Sequence, residues 1–110
     1  MIDYHFIRVA IATFLTLAPP SEAQDLEGLS WSDQKCVLYD RAVDAALGFQ
    51  GQDGLREAFL SANQAFIDGG CQTQSDVCPI TDAELELANL LTIMTMNEGM
   101  ASTFVPFGCP

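Results

Sequence analysis

The chain has 110 residues, 15 acidic against 4 basic side chains, a formal net charge of −11 and 49 % hydrophobic residues. That charge argues against a nucleic-acid binder, whose footprint is a basic surface that neutralises phosphates, and against electrostatic attachment to an anionic membrane. The apolar content is too high for a disordered chain, and the length allows one small domain and no more.

Residues 1–23 read as a cleaved secretory signal. A polar start with Arg8 leads into an uncharged apolar run from Val9 to Ala18, which Pro19 and Pro20 then break. Small residues at Ser21 and Ala23 place cleavage after Ala23. The run is about ten residues, and a spanning helix needs roughly 20, so no membrane attachment is expected after cleavage. The remaining 24–110 form the expected single helical, disulfide-stabilised domain, periplasmic or secreted. They keep 13 acids and three bases, Lys35, Arg41 and Arg56, and no histidine, because His5 leaves with the signal.

Gln24 to Ser32, with Trp31, reads as an irregular leader. A cap signal lies in Ser30 to Asp33, or in Ser32 alone. A first helix follows over Asp33–Phe49, with Cys36, Tyr39, Val43, Ala46 and Leu47 on one face at spacings of three and four. Gly48, Gly51 and Gly54 lead into a loop. A second helix is predicted over Gly54–Asp68, with Leu55, Ala58, Phe59, Ala62 and Phe66 inward and Gly69-Gly70 as the stop. Gln72–Val77 is polar and turn-like. Thr81 then caps a third helix, with Glu84 at the N3 position of a capping box, and that helix is predicted to reach Met100. Leu85, Leu87, Leu90, Leu91, Ile93, Met94, Met96 and Met100 occupy nearly every direction around its axis, which marks a central or interfacial helix and motivates a homodimer.

Cys36, Cys71, Cys78 and Cys109 form an even set, read in an exported chain as two disulfides. Their spacings match no zinc pattern, and the C-x-x-C of a thioredoxin-like site is absent. Loop entropy does not separate the pairings. Placing the first two helices as an antiparallel hairpin favours 36–71 with 78–109, and 36–109 with 71–78 stands next. The predicted fold is therefore all-α, a small three- or four-helix bundle stapled by two disulfides, with an extended C-terminal tail.

Without histidine in 24–110, Ser-His-Asp and Cys-His catalysis and His-ligated metal sites are excluded. No cofactor, metal or catalytic residue is expected. Met94, Met96 and Met100 read as core filling rather than a soft metal site. The acids Asp82, Glu84 and Glu86 sit where the helix dipole favours anions. Phe104 and Phe107 read first as packing over the helix ends. The functional alternative makes Asp82, Glu84, Glu86, Phe104 and Phe107 a partner-binding surface, to which a net charge near −10 would steer a cationic protein.

Cys36-Val-Leu-Tyr39-Asp-Arg-Ala-Val43-Asp-Ala-Ala46 resembles the first-helix pattern of the small exported type VI amidase immunity proteins, the Tai-type family. Cys78-Pro79, the Thr81 cap with Leu85 behind it, a long apolar helix and Phe107-Gly-Cys109-Pro110 resemble that family's ending, although the run between Cys78 and Cys109 is shorter here. The resemblance implies an all-helical periplasmic protein, often dimeric, that binds and blocks a secreted cell-wall amidase, and the net negative charge makes a cationic hydrolase the expected partner. The expectation is a non-enzymatic binding or inhibitor protein. The alternative is a structural or accessory subunit of a cell-envelope complex.

Overall fold

The computed structural model describes residues 26–72 and 76–110. The predicted signal segment, 1–23, lies outside the described residues, as does 73–75 within the predicted turn. Among the described residues three helices follow in order: α1 (Trp31–Gln50), α2 (Glu57–Asp68) and α3 (Asp82–Asn97). Among the described residues the only β pairing is a single parallel bridge between Val77 and Phe107.

The hydroxyl of Ser30 accepts from the Asp33 amide, and α1 starts at Trp31, two residues before the expected Asp33. Trp31 thus belongs to the first turn of the helix, not to an irregular leader. The helix runs through Gly48 and stops at Gly51, whose φ of 79° takes the backbone where other residues rarely go. Its inner face carries Leu38, Tyr39, Ala42, Val43 and Ala46.

α2 starts at Glu57, three residues later than the spacing of apolar residues predicts, because Gly54 (φ +82°) still belongs to the turn. Its N-cap, Arg56, makes no capping hydrogen bond with its own side chain. Gly69 and Gly70 end α2 as expected, and Cys71 follows with φ +57° and its amide bonded to the Phe66 carbonyl.

The capping box is present in both directions: the Thr81 hydroxyl accepts from the Glu84 amide, and the Glu84 side chain accepts from the Thr81 amide. α3 ends at Asn97 rather than Met100. Gly99, at φ +87°, turns the chain, and the Met100 amide reaches back to the Thr95 carbonyl.

Both disulfides form the favoured pairs, Cys36–Cys71 and Cys78–Cys109. The first joins the start of α1 to the residues after α2 and fixes the two as an antiparallel hairpin. α3 packs antiparallel to α1, with the Gln50 side chain at the end of α1 donating to the Ala83 carbonyl at the start of α3. From Asn97 the tail runs back along the bundle. It pairs with Val77 on both sides, through the Val77 amide to Pro106 and the Gly108 amide to Val77, before the second disulfide closes it.

That tail completes the core. Phe104 meets Tyr39 and Phe66 edge-on, with centroids 5.9 and 6.0 Å apart, and Phe107 stacks on Phe59 at 5.9 Å. Such ring pairs contribute about 0.5–1.5 kcal/mol each beyond area burial. Tyr39 is fully buried and donates its hydroxyl to Asn63 Oδ1, also buried, so neither polar group is left unmet. Leu87 and Leu91 of α3 lie beneath α1 in the same cluster. Leu26, Leu38 and Met100 form a second small cluster.

Candidate interaction surface

The start of α3 is held by a dense set of hydrogen bonds, and Glu84 is their centre. Its side chain has no solvent exposure. One oxygen, Oε1, accepts from the Ile80 amide at 2.9 Å and from Arg56 Nη2 at 2.7 Å. The other, Oε2, accepts from the Arg56 amide at 2.8 Å and from Arg56 Nε at 2.9 Å. The Arg56 guanidinium also donates to the Cys78 carbonyl. One carboxylate therefore caps α2, grips the guanidinium beside it and closes the capping box of α3. It meets the backbone N–H at Arg56 that the α2 cap leaves without a local acceptor.

The electrostatics follow from this geometry. The Arg56 guanidinium, helped by the amides of Ile80, Arg56 and Thr81, outweighs burial and holds the Glu84 carboxyl at about 2. The same hydrogen bond pushes Arg56 further up. Burial pushes the Tyr39 phenol far above its usual range, so it stays a neutral donor to Asn63.

The five residues proposed from sequence do not form one surface. Asp82 and Glu86 are exposed on the outer side of α3. Glu84 points inward and is consumed by Arg56, so it is a structural residue and not a contact for a partner. Phe104 and Phe107 are half-buried, with their rings turned onto Tyr39, Phe66 and Phe59, so they pack over the helix ends as core residues. The reading of the methionines as filling holds for Met100, which is buried, and Met94, which packs against the main cluster. Met96 is 51 % exposed.

The outer side of α3 carries what the sequence left undirected. Leu85, Ile93 and Met96 are exposed there at 45, 58 and 51 %, interleaved with Asp82, Glu86 and Asn89. Ile80, just before the cap, is 65 % exposed, and Phe49 in the last turn of α1 is 87 % exposed. The all-round apolar character of α3 was the available signal, but it gave no direction. Two concavities also occur. A cleft of about 520 Å³ opens between the tail and the segment after α2, lined by Gln72, Asp76, Ser102, Thr103 and Phe104 among others. A recess of about 140 Å³ lies between α1 and α3, where Leu38, Arg41 and Ala45 face Met94 and Glu98.

Among the described residues, no group of three or more His, Cys, Asp or Glu side chains is arranged to hold a metal ion, and no helix is long and apolar enough to cross a membrane. Fold and site define a small all-α bundle, stapled by two disulfides, whose third helix presents a mixed apolar and acidic outer face. No family model, curated protein or solved structure matches the chain.

Proposed function

We propose that the chain is an exported, non-enzymatic binding protein of the periplasm that inhibits its partner, in the specific form of an immunity protein blocking a cell-wall amidase. The observation that carries this reading is the rigid mounting of Asp82 and Glu86. The capping box, the buried Glu84–Arg56 pair and the Cys78–Cys109 disulfide all converge on the start of the helix that displays them. Occluding an active site demands a surface whose shape is set before contact, because an ordered surface loses little entropy on binding. The signal-like leader and the two disulfides support export.

The test is inhibition. The exported protein is added to purified, cationic peptidoglycan amidases, and the clearing of a peptidoglycan suspension is followed. An amidase blocked near equimolar ratio, and released by Asp82→Lys with Glu86→Lys, supports the reading. Undiminished clearing by every amidase overturns it. The second reading, an accessory subunit of an envelope complex, draws on the exposed Ile93 and Met96. Recovery of several envelope proteins in fixed ratio with the tagged chain would favour it.

A further inference from the structure

Resting on that reading, we infer that the partner docks along the outer face of α3 and the neighbouring end of α1, and that it is a protein presenting apolar side chains within a rim of lysine or arginine. The face is continuous by construction. Asp82, Leu85, Glu86, Asn89, Ile93 and Met96 recur at spacings of three and four, and so share one side of the helix. Ile80 extends it at the entry to α3. The Gln50–Ala83 hydrogen bond brings Phe49 to the same end.

Charge decides what covers this face. The three cations of 24–110 are all engaged elsewhere. Arg56 is locked onto Glu84, Lys35 stands 5.2 Å over the Phe104 ring, and Arg41 lines the recess between α1 and α3. The exposed ionisable groups set among the apolar residues are Asp82 and Glu86, with Asp53 in the adjoining loop. A second copy of the chain would set carboxylates against carboxylates, which opposes self-association. A cationic rim satisfies the same groups and also speeds encounter. Leu85 and Ile93 then supply the apolar centre that the polar rim shields from water, with Phe49 at the same end of the bundle.

The test uses two synthetic probes of equal length and charge, an amphipathic Lys/Leu helix and a Lys/Ser peptide, titrated into the isotopically labelled exported chain. The expected amide shifts for the Lys/Leu peptide fall on 80–96 and around Phe49. Its affinity should exceed that of the Lys/Ser peptide by about tenfold or more, and should fall about tenfold in Leu85→Ser with Ile93→Ser. Both substitutions are at exposed positions, and an unchanged unfolding midpoint verifies the fold. Equal affinity for the two peptides, or shifts centred on another surface, overturns the inference. So does sedimentation of the free chain as a dimer through this face. If the peptides fail while the chain still blocks an amidase, the docking face is wrong and the inhibitor reading stands. If the peptides succeed and no amidase is blocked, the face stands and the inhibitor reading falls.

Discussion

Replacing Glu84 by Gln tests the centre of the structure with almost no change in shape. Both carboxylate oxygens face donors: Ile80 N–H and Arg56 Nη2 on one side, Arg56 N–H and Nε on the other. Whichever way the new amide turns, its NH₂ group confronts at least two N–H groups, and the guanidinium loses its counter-charge. Breaking one partner of a buried pair costs about 3–5 kcal/mol, a large share of the roughly 5–15 kcal/mol that holds a small protein folded. The pH dependence gives a second, independent readout. The Glu84 carboxyl sits near 4.5 when unfolded and is held at about 2 when folded. A depressed carboxyl stabilises the fold fully above its unfolded value, and that contribution fades as pH falls from about 4.5 to about 2. The separation of the two values corresponds to on the order of 3 kcal/mol. Urea unfolding of the parent and Glu84→Gln should therefore differ by several kcal/mol at pH 7, and the gap should close on acidification. The other twelve carboxylates of 24–110 are common to both proteins and cancel in the difference. A loss under about 1 kcal/mol at pH 7, or a gap indifferent to pH, would show that the pair does not hold these three segments together.

Three further variants address other elements of the fold. A Cβ on Gly54 would stand 2.9 Å from the Ala83 Cβ at a φ of +82°, so Gly54→Ala should lose about 2 kcal/mol or more by denaturant unfolding. Gly99→Ala, with a similar φ of +87° and open space around it, should lose only the roughly 1 kcal/mol of backbone strain, and equal losses at the two sites would refute the close contact. Removing the second disulfide with Cys78→Ser and Cys109→Ser opens a loop of sequence separation 31, worth about 4 kcal/mol in the chain-entropy account. Hydrogen exchange should then quicken first at the amides of Val77 and Gly108, which carry the tail's pairing. Unchanged protection at both amides would mean that Phe104 and Phe107 hold the tail without the covalent link.

Local signals in the sequence located what local physics decides. The cap signal around Ser30, Thr81 with Glu84, and Gly69-Gly70 marked helix ends, and periodicity gave Tyr39, Val43 and Ala46 on the inner face of α1 and Phe59 and Phe66 on that of α2, whereas Ala58 is exposed and Leu55 precedes the helix. The cysteine pairing followed from hairpin geometry and was met. What sequence missed depends on contacts across the fold. The first turn of α2 begins late because the turn through Gly54 precedes it, and the acceptor for its N-cap amide is Glu84, 28 residues away along the chain. The N3 position of a capping box and the partner of a buried guanidinium look identical in sequence, and Glu84 is both. The available hint was scarcity, since Arg56 is one of three cations in 24–110. An aromatic pair such as Phe104 and Phe107 reads first as core, but the tail's path is what separates that from an anchor for a partner. The same holds for α3, whose apolar residues ring the axis. Burial divides them, with Leu87 and Leu91 inward and Leu85, Ile93 and Met96 outward. That division bears on self-association, which the all-round pattern alone would favour. The apolar surface left outside is interleaved with Asp82 and Glu86, and the cations that could offset them in a like pairing are engaged by Glu84, by the Phe104 ring and in the recess. Burying this face against its own copy would bring four of these carboxylates together for the apolar area gained, whereas a basic partner gains that area and neutralises the charge in one step.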